Sequence, residues 1–434
     1  MTIIKSLHII FTLTSLILMV YVPLFGVCGR HIPFEYSSTN ITNTHIVDGN
    51  PIRHAIYYYH PSFYIKALVG SPPQEVFMII DSAGGASWIK CSNHSFPKPN
   101  FAQFDPCISS SYHNVLCDSP LCIYKLQISS TCNLDNPLPC DFLQNYLSGL
   151  APTGVLAQDT FALGIHDLKI KNITFGCAYE GERMSQLPEN HTYGLMSLSL
   201  SPESFLSQIA SQYNVMSYCL ANQVYDATTR GWMSFGNQHS KNLSSTSFFG
   251  NGDFFVNLKG ITIDGIAIDV SDITTLSYDP NFNGFGGLWL DTGSTATYLQ
   301  EPLHSRFLDV FIASMKRRTN IYPDSYPDSN SDVNGLTCYS FKSDVNISSI
   351  EVPQVTIHLE DDVDLHLEIE NLFGIIDVDS ENNQRTCLMF VEDKIFVGGD
   401  FIGPRILGGI TQQSFHIEID IKEKKIGFAR TKCI

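Results

Sequence analysis

The feature that most constrains this chain is a motif that occurs twice. Val76-Phe-Met-Ile-Ile-Asp81-Ser-Ala-Gly and Gly287-Leu-Trp-Leu-Asp291-Thr-Gly-Ser each run an apolar strand into an aspartate, then a hydroxyl residue and small residues. The two aspartates stand 210 positions apart, about half of the 434 residues, as two related lobes would place them. A carboxylate at the end of a buried strand is costly unless it is hydrogen-bonded. A single Asp of this kind reads as a turn residue closing a strand. Two matched copies reverse that reading. If the lobes face each other the carboxylates meet, cannot both ionise easily, and share one proton. One then serves as general base toward a water while the other donates to a carbonyl oxygen. That chemistry hydrolyses peptides without metal, cofactor or covalent intermediate. The hydroxyls of Ser82 and Thr292 are expected to hold the outer carboxylate oxygens. The small residues that follow, Gly293 among them, let backbone N–H groups approach the inner ones.

The rest of the chain reads as all-β with minor helices. Short runs rich in Val, Ile, Phe and Tyr alternate with Gly, Pro, Asn and Ser clusters, as in Tyr64-Ile-Lys-Ala-Leu-Val-Gly and Phe254-Phe-Val-Asn-Leu-Lys-Gly-Ile-Thr-Ile. Ser414-Phe-His-Ile-Glu-Ile-Asp-Ile alternates apolar and polar residues and passes through Lys422-Glu-Lys-Lys into Ile426-Gly-Phe-Ala, a hairpin pattern. Helical spacing is confined to 202–213 and 303–318, the latter with Phe307, Val310, Phe311 and Met315 on one face. The Ser/Asn/Gly-rich stretch 237–252 reads as the linker. The expected organisation is a signal peptide at 1–29, a short leader at 30–55, one lobe at 56–245 and a second at 246–434.

Composition fixes the compartment. Lys5 precedes an apolar run from Ile9 to Val27 that ends in small residues, the pattern of a secretory signal peptide. No later run of that length occurs, so no membrane association is expected once the signal is removed. Sequons at Asn40, Asn93, Asn172, Asn190, Asn242 and Asn346 mark glycosylation acceptors and reinforce one another behind a signal. The expected location is extracellular, with the vacuole as the alternative. The 12 cysteines become an odd number if Cys28 leaves with the signal, which predicts one thiol free or paired between chains. A net charge of -17 excludes nucleic acid as partner. Metal binding has no support, because no cysteine pair repeats at zinc spacing. The acidic run at 360–364, between His358 and His366, lacks the ligand spacing and turn glycine of a calcium loop and reads as a solvated strand edge. His54 and His60 read as loop residues.

At this point the sequence resembles a family, the pepsin-like aspartic proteases and in particular their plant nepenthesin-type branch. In the first half the resemblance is carried by Gly70-Ser-Pro-Pro-Gln, Asp81-Ser-Ala-Gly, Trp88-Ile-Lys-Cys91, Phe104-Asp-Pro, Gly154-Val-Leu-Ala-Gln-Asp-Thr, Phe175-Gly-Cys177 and Met216-Ser-Tyr-Cys-Leu. In the second it is carried by Trp289-Leu-Asp291-Thr-Gly-Ser, Cys338-Tyr, Ile406-Leu-Gly-Gly, Gln412-Gln and Ile426-Gly-Phe-Ala. The resemblance implies a bilobal double β-barrel with a central cleft and Asp81 and Asp291 as the catalytic dyad. It also implies a flap hairpin whose tyrosine is Tyr146, steadied by Trp88. The implied partner is a polypeptide in the cleft of a monomer, with no cofactor.

Departures cluster in the first lobe. Position 83 is Ala where the family has Gly. A methyl there is expected to crowd the dyad, and to add about 1–3 kcal/mol of strain if the backbone must enter a glycine-only region. The family's pattern of two apolar residues and Gly reads Leu195-Met196-Ser197, though Ile406-Leu407-Gly408 is intact. The flap reads Tyr146-Leu-Ser-Gly-Leu150 where the family has Tyr-Gly-Asp-Gly-Ser, and Cys107 stands at an unusual place. Only about 30 residues separate the signal from the first protease strand, which is short for a propeptide. Two functions follow: a secreted aspartic endopeptidase acting at acidic pH, or a protease-like binding or inhibitor protein of the plant cell wall. Relatives of the second kind usually lose a catalytic Asp, and this chain keeps both.

Overall fold

A computed structural model describes residues 53–433 apart from 60, 93–101, 123–137, 147, 164–167, 185–192, 223–229, 237–238, 281–285, 325–335, 343–344, 346–348, 379–382, 394–395, 398–399 and 402–404. It also describes short strand pieces at 41–42, 46–47 and 50–51. The signal segment, His60 and the sequons at Asn40, Asn93, Asn190 and Asn346 lie outside the described residues.

Each lobe is built from strands whose alternation buries one face. In Ser62–Val69 the side chains of Phe63, Ile65, Ala67 and Val69 are all buried, while Lys66 is exposed. This strand pairs antiparallel with Gln74–Asp81. The aspartate strand in turn lies parallel to Tyr193–Ser197, with Asp81 opposite Ser197. The second lobe repeats the device: Leu288–Asp291 runs parallel to Arg405–Gly408, with Asp291 opposite Gly408. The duplicated motif of the sequence is thus a duplicated pairing.

A sheet shared by both halves joins the lobes. Its strands lie in the order His54–Tyr59, Gly231–Gly236, Val215–Cys219, Phe415–Asp420, Lys425–Arg430 and Ser244–Phe249, all antiparallel neighbours. The hairpin expected around 422–425 is one of its ribbons. Two expectations change here. His54 is a buried strand residue rather than a loop residue. Six of the sixteen residues of the supposed linker form the strand Ser244–Phe249, which buries Thr246 and Phe248. Its Ser-rich composition hid a strand that is specified by its partner.

Helices are sparse. Leu303–Thr319 forms as its spacing predicts, burying Phe307, Phe311 and Met315, with Lys316, Arg317 and Arg318 in the last turn where they complement the helix dipole. Only Phe205–Ile209 of the expected 202–213 helix is α-helical; Ser204 caps it by accepting the Ser207 N–H. The run 254–263 is divided into Phe255–Val256 and Leu258–Ile263. Asn257 accounts for the break: its side chain accepts from Tyr278 N and donates to Glu360 Oε2, fixing a bend. The acidic run is the turn of the hairpin between Val355–Leu359 and Asp364–Leu367, with His358 on Asp364 and Lys259 on Asp362. Of the described sequons, Asn242 is exposed and Asn172 partly so, both at positive φ.

Disulfides join Cys91–Cys177, Cys122–Cys140, Cys219–Cys433 and Cys338–Cys387. Cys107 and Cys117 are also disulfide-bonded. No cysteine is free among the described residues. Disulfides on this scale fit the secretory pathway. No described helix is long and apolar enough to cross a membrane. Cys219–Cys433 spans 214 residues and pins the chain's end to the shared sheet. Replacing both cysteines with Ser should lower unfolding stability by about 2–4 kcal/mol, read as a lower urea midpoint. An unchanged midpoint would mean that the sheet holds that end without the bond.

Candidate active site

The two aspartates meet where the lobes meet. Each ends its strand and is buried, Asp81 at 6% and Asp291 at 9% exposure. What aligns them is a reciprocal clasp by the residues that follow. The Ser82 hydroxyl donates to Leu290 O at 2.8 Å and accepts from Thr292 N at 3.0 Å. The Thr292 hydroxyl donates to Ile80 O at 2.8 Å and accepts from Ser82 N at 3.1 Å. This corrects the sequence reading, which gave these hydroxyls to the carboxylates. Both are committed across the lobe boundary, because a buried backbone N–H and C=O must find partners and the opposite loop supplies them.

The carboxylates are held by other groups, and unequally. Asp291 Oδ1 accepts from Gly293 N at 2.8 Å and Ser294 N at 3.0 Å, and Oδ2 accepts from the Ser294 hydroxyl at 2.6 Å. Asp81 Oδ1 accepts from Ala83 N at 2.8 Å, and the Gly84 N–H also stabilises the carboxylate. Among the described residues no hydroxyl does for Asp81 what Ser294 does for Asp291. The corresponding residue, Gly84, cannot carry one as placed, since a Cβ there would lie 2.8 Å from Asp81 Oδ2. Ser294 was missed in the sequence, though the hydroxyl after Asp-Thr-Gly, absent after Asp81-Ser-Ala, was its signal.

Electrostatics follow this inventory. Burial is the largest cause raising Asp81 well above the ordinary carboxylate value, and the charge of Asp291 adds to it. Asp291 is also raised by burial, but the Ser294 hydroxyl, the two N–H groups and a hydrogen bond from Asp81 oppose the rise. Both carboxyls are thus raised by burial, and Asp291 has more donors to offset the rise than Asp81. A third carboxylate, Asp253, contributes to raising Asp81. Nothing in the sequence singled it out.

Lobe one absorbs its departures in a coordinated way. Ser197 N donates to Ser87 Oγ at 3.0 Å just as Gly408 N donates to Thr297 Oγ1 at 3.1 Å. A Cβ on Gly408 would lie 2.0 Å from Ala296 O, so lobe two needs glycine there. Lobe one has the side chain, and its loop accommodates it: Ser197 Oγ donates to Gly84 O at 2.6 Å. Ser197 thus anchors the loop that carries Gly84 past Asp81. Ala83 lies outside the positive-φ region, so the backbone strain considered for it does not arise. Its crowding remains relevant. At the matching position in lobe two, a Cβ on Gly293 would lie 2.7 Å from Asp81 Cγ, whereas residue 83, half-buried, does carry a methyl.

The flap is the hairpin of Asp141–Leu143 and Ala151–Leu163. Tyr146 closes its turn, donating its N–H to Leu150 O at 3.0 Å, and Gly149 returns one to Tyr146 O with φ +79, a conformation that suits glycine. Arg183 donates to Ser148 O and braces the tip. Trp88 Nε1 donates to Tyr146 Oη at 2.9 Å. Burial first and then the Asp81 charge raise the Tyr146 phenol.

Comparison with known proteins agrees with this geometry. Family models described as xylanase inhibitor N-terminal and xylanase inhibitor C-terminal match residues 63–237 and 253–430. The chain is 26% identical to the aspartyl protease AED3 of Arabidopsis thaliana over 380 residues, 86% of this chain and 77% of that one. It is 25% identical to the aspartic proteinase nepenthesin-1 of Nepenthes gracilis over 392 residues, 87% of this chain and 80% of that one. Among solved structures, edgp matches with a TM-score of 0.66 at 18% identity, covering 88% of this chain and 95% of its own. Basic 7S globulin from soybean matches with a TM-score of 0.63, also at 18% identity, covering 88% and 97%. The structural likenesses show the bilobal β fold, and the sequence matches show descent: the chain belongs to the pepsin-like aspartic protease family.

Proposed function

We propose that the protein is a secreted aspartic endopeptidase that cleaves polypeptides at acidic pH with Asp81 and Asp291. The observation that carries this reading is the pair of buried carboxylates, both raised by burial and aligned by the Ser82–Thr292 clasp. Asp291, better supplied with donors, is the base; Asp81, short of donors, is the acid. Asp291 takes a proton from water as its oxygen bonds to the scissile carbonyl carbon, and Asp81 gives its proton to the carbonyl oxygen. On collapse, Asp81 recovers a proton from the diol hydroxyl. Asp291 passes its own to the leaving nitrogen as the C–N bond breaks. Tyr146 closes over the substrate from the flap, its ring fixed by Trp88.

A second reading, a protease-like binding or inhibitor protein, is favoured by the xylanase-inhibitor description of both matching family models and by Ala83 at the position where the second lobe has Gly293. One assay separates the two. Purified protein incubated with denatured globin between about pH 3 and 5 should cleave it in a pepstatin-sensitive manner, and Asp291→Asn should reduce the rate about a thousandfold. Ala83→Gly should raise kcat about tenfold by freeing space at the dyad. No cleavage by either the native protein or Ala83→Gly leaves the binding reading.

The pH profile tests the roles of the two carboxylates. Activity requires Asp291 ionised and Asp81 protonated, so it falls as pH drops below the Asp291 value and as pH rises through the elevated Asp81 value. Ser294→Ala removes the strongest group holding Asp291 down, and should move the acidic limb of kcat/KM upward by about one pH unit. An acidic limb that stays in place would reassign the base to Asp81.

A further inference from the structure

A second cluster of ionisable side chains, which takes no part in the dyad chemistry, lies in lobe two where the helix Leu303–Thr319 meets the strand Phe390–Glu392. Strand Thr297–Leu299 runs parallel to Phe390–Glu392 and sets Leu299 opposite Glu392. The chain then turns through Glu301 into the helix, whose first turn carries His304, buried to 6% exposure. The Ser305 hydroxyl donates to Glu301 Oε2, while Glu301 Oε1 faces His304 Nδ1 at 3.4 Å. A ring nitrogen of His304, an oxygen of Glu301 and an oxygen of Glu392 all lie within 4.8 Å of one another.

Hydrogen bonds do not account for His304. A buried imidazole needs a partner at each nitrogen. Nε2 has none among the described residues, and the 3.4 Å at Nδ1 is longer than the roughly 2.7–3.2 Å of a good bond. The same separation suits two ligands of one metal ion. With metal–ligand bonds of about 2.0–2.1 Å at the tetrahedral angle, neighbouring ligand atoms stand about 3.4 Å apart. The two carboxylates outweigh the roughly half positive charge of the helix N-terminus. One imidazole and two carboxylates suit zinc, whereas calcium takes about six to eight oxygens and gains nothing from the imidazole. Glu301 is exposed and Glu392 half-buried, so an ion reaches the cluster from solvent and keeps a place for water. Cysteine spacing could not reveal this set, because its ligands are a histidine and two glutamates drawn from separate elements.

We propose that Glu301, His304 and Glu392 form a binding site for a zinc-like divalent cation, completed by water, that ties the start of the helix to the strand beside it. The site stands independently of the endopeptidase reading. Ligands bind a cation in their deprotonated forms, so it fills near neutral pH rather than in acid.

The test titrates the whole, chelator-treated protein at pH 7 with zinc chloride by calorimetry and reads its Tm with and without the ion. The native protein should bind Zn2+ and melt higher with it, and calcium chloride should do neither. Glu301→Gln and Glu392→Gln should each weaken Zn2+ binding at least tenfold, since even groups that only support metal ligands are worth about that much. His304→Gln should abolish the Tm rise; should it fail to fold, the two glutamate variants decide. No Zn2+ binding by the native protein, or a Zn2+ affinity that Glu301→Gln or Glu392→Gln leaves unchanged, overturns the proposal. Equal stabilisation by calcium overturns it as well.

Discussion

The hydrogen bonds exchanged by Ser82 and Thr292 across the lobe boundary are the constraint on which the cleft depends. Each hydroxyl takes the N–H of the opposite loop and gives its proton to a carbonyl of the opposite strand. A buried hydrogen bond adds only about 1 kcal/mol net, but leaving such groups unpaired costs more, so the loops have one good arrangement. That arrangement forces Asp81 and Asp291 together against their repulsion. The proton they share makes the contact tolerable. Stability of the lobe interface and the chemistry of the dyad are thus set by the same few atoms.

The two halves of this nearly symmetric device are not equivalent. Lobe two keeps glycines at 293 and 408, each demanded by a neighbour within 2.7 Å of a would-be Cβ, and adds the Ser294 hydroxyl to its carboxylate. Lobe one substitutes at both equivalent places, and the substitutions are linked: the Ser197 side chain binds Gly84 O and so holds the loop that begins at Ala83. Taken singly, Ala83 and Ser197 look like damage. Together they form a loop with ordinary backbone angles and one fewer donor for its carboxylate. The consequence is an unequal pair, with more donors on the Asp291 carboxylate than on that of Asp81.

Much of this was legible in the sequence, for identifiable reasons. The Asp motifs, the 415–430 hairpin and the 303–319 helix announce themselves through local period and composition, and local rules suffice for them. The Trp88–Tyr146 contact followed from family resemblance and is present in the geometry. What escaped depends on the partner surface. Ser82 and Thr292 were placed on the carboxylates because sequence shows neighbours along the chain, not across 210 residues. Strand Ser244–Phe249 was read as linker because its inward face is specified by the 425–430 strand it joins. Asp253 carries no motif, and only the folded chain shows its neighbours Gly252 and Phe254 bonded to Leu200 and Leu290.

The account stands or falls on buried carboxylates that hold protons in the folded state. Asp81, Asp291 and Asp253 all have folded values above those of the unfolded chain, so the folded state binds protons more tightly. Their contribution to stability is fully present below the ordinary carboxylate range and is lost as pH rises through the elevated values, up to about 7 for Asp253. Thermal unfolding followed from pH 4 to pH 8 measures this directly. The account predicts a Tm that falls across that interval, with a clearly smaller fall in Asp81→Asn, where one site no longer titrates. A Tm that is flat or rises toward pH 8, or a fall that Asp81→Asn leaves intact, would contradict it.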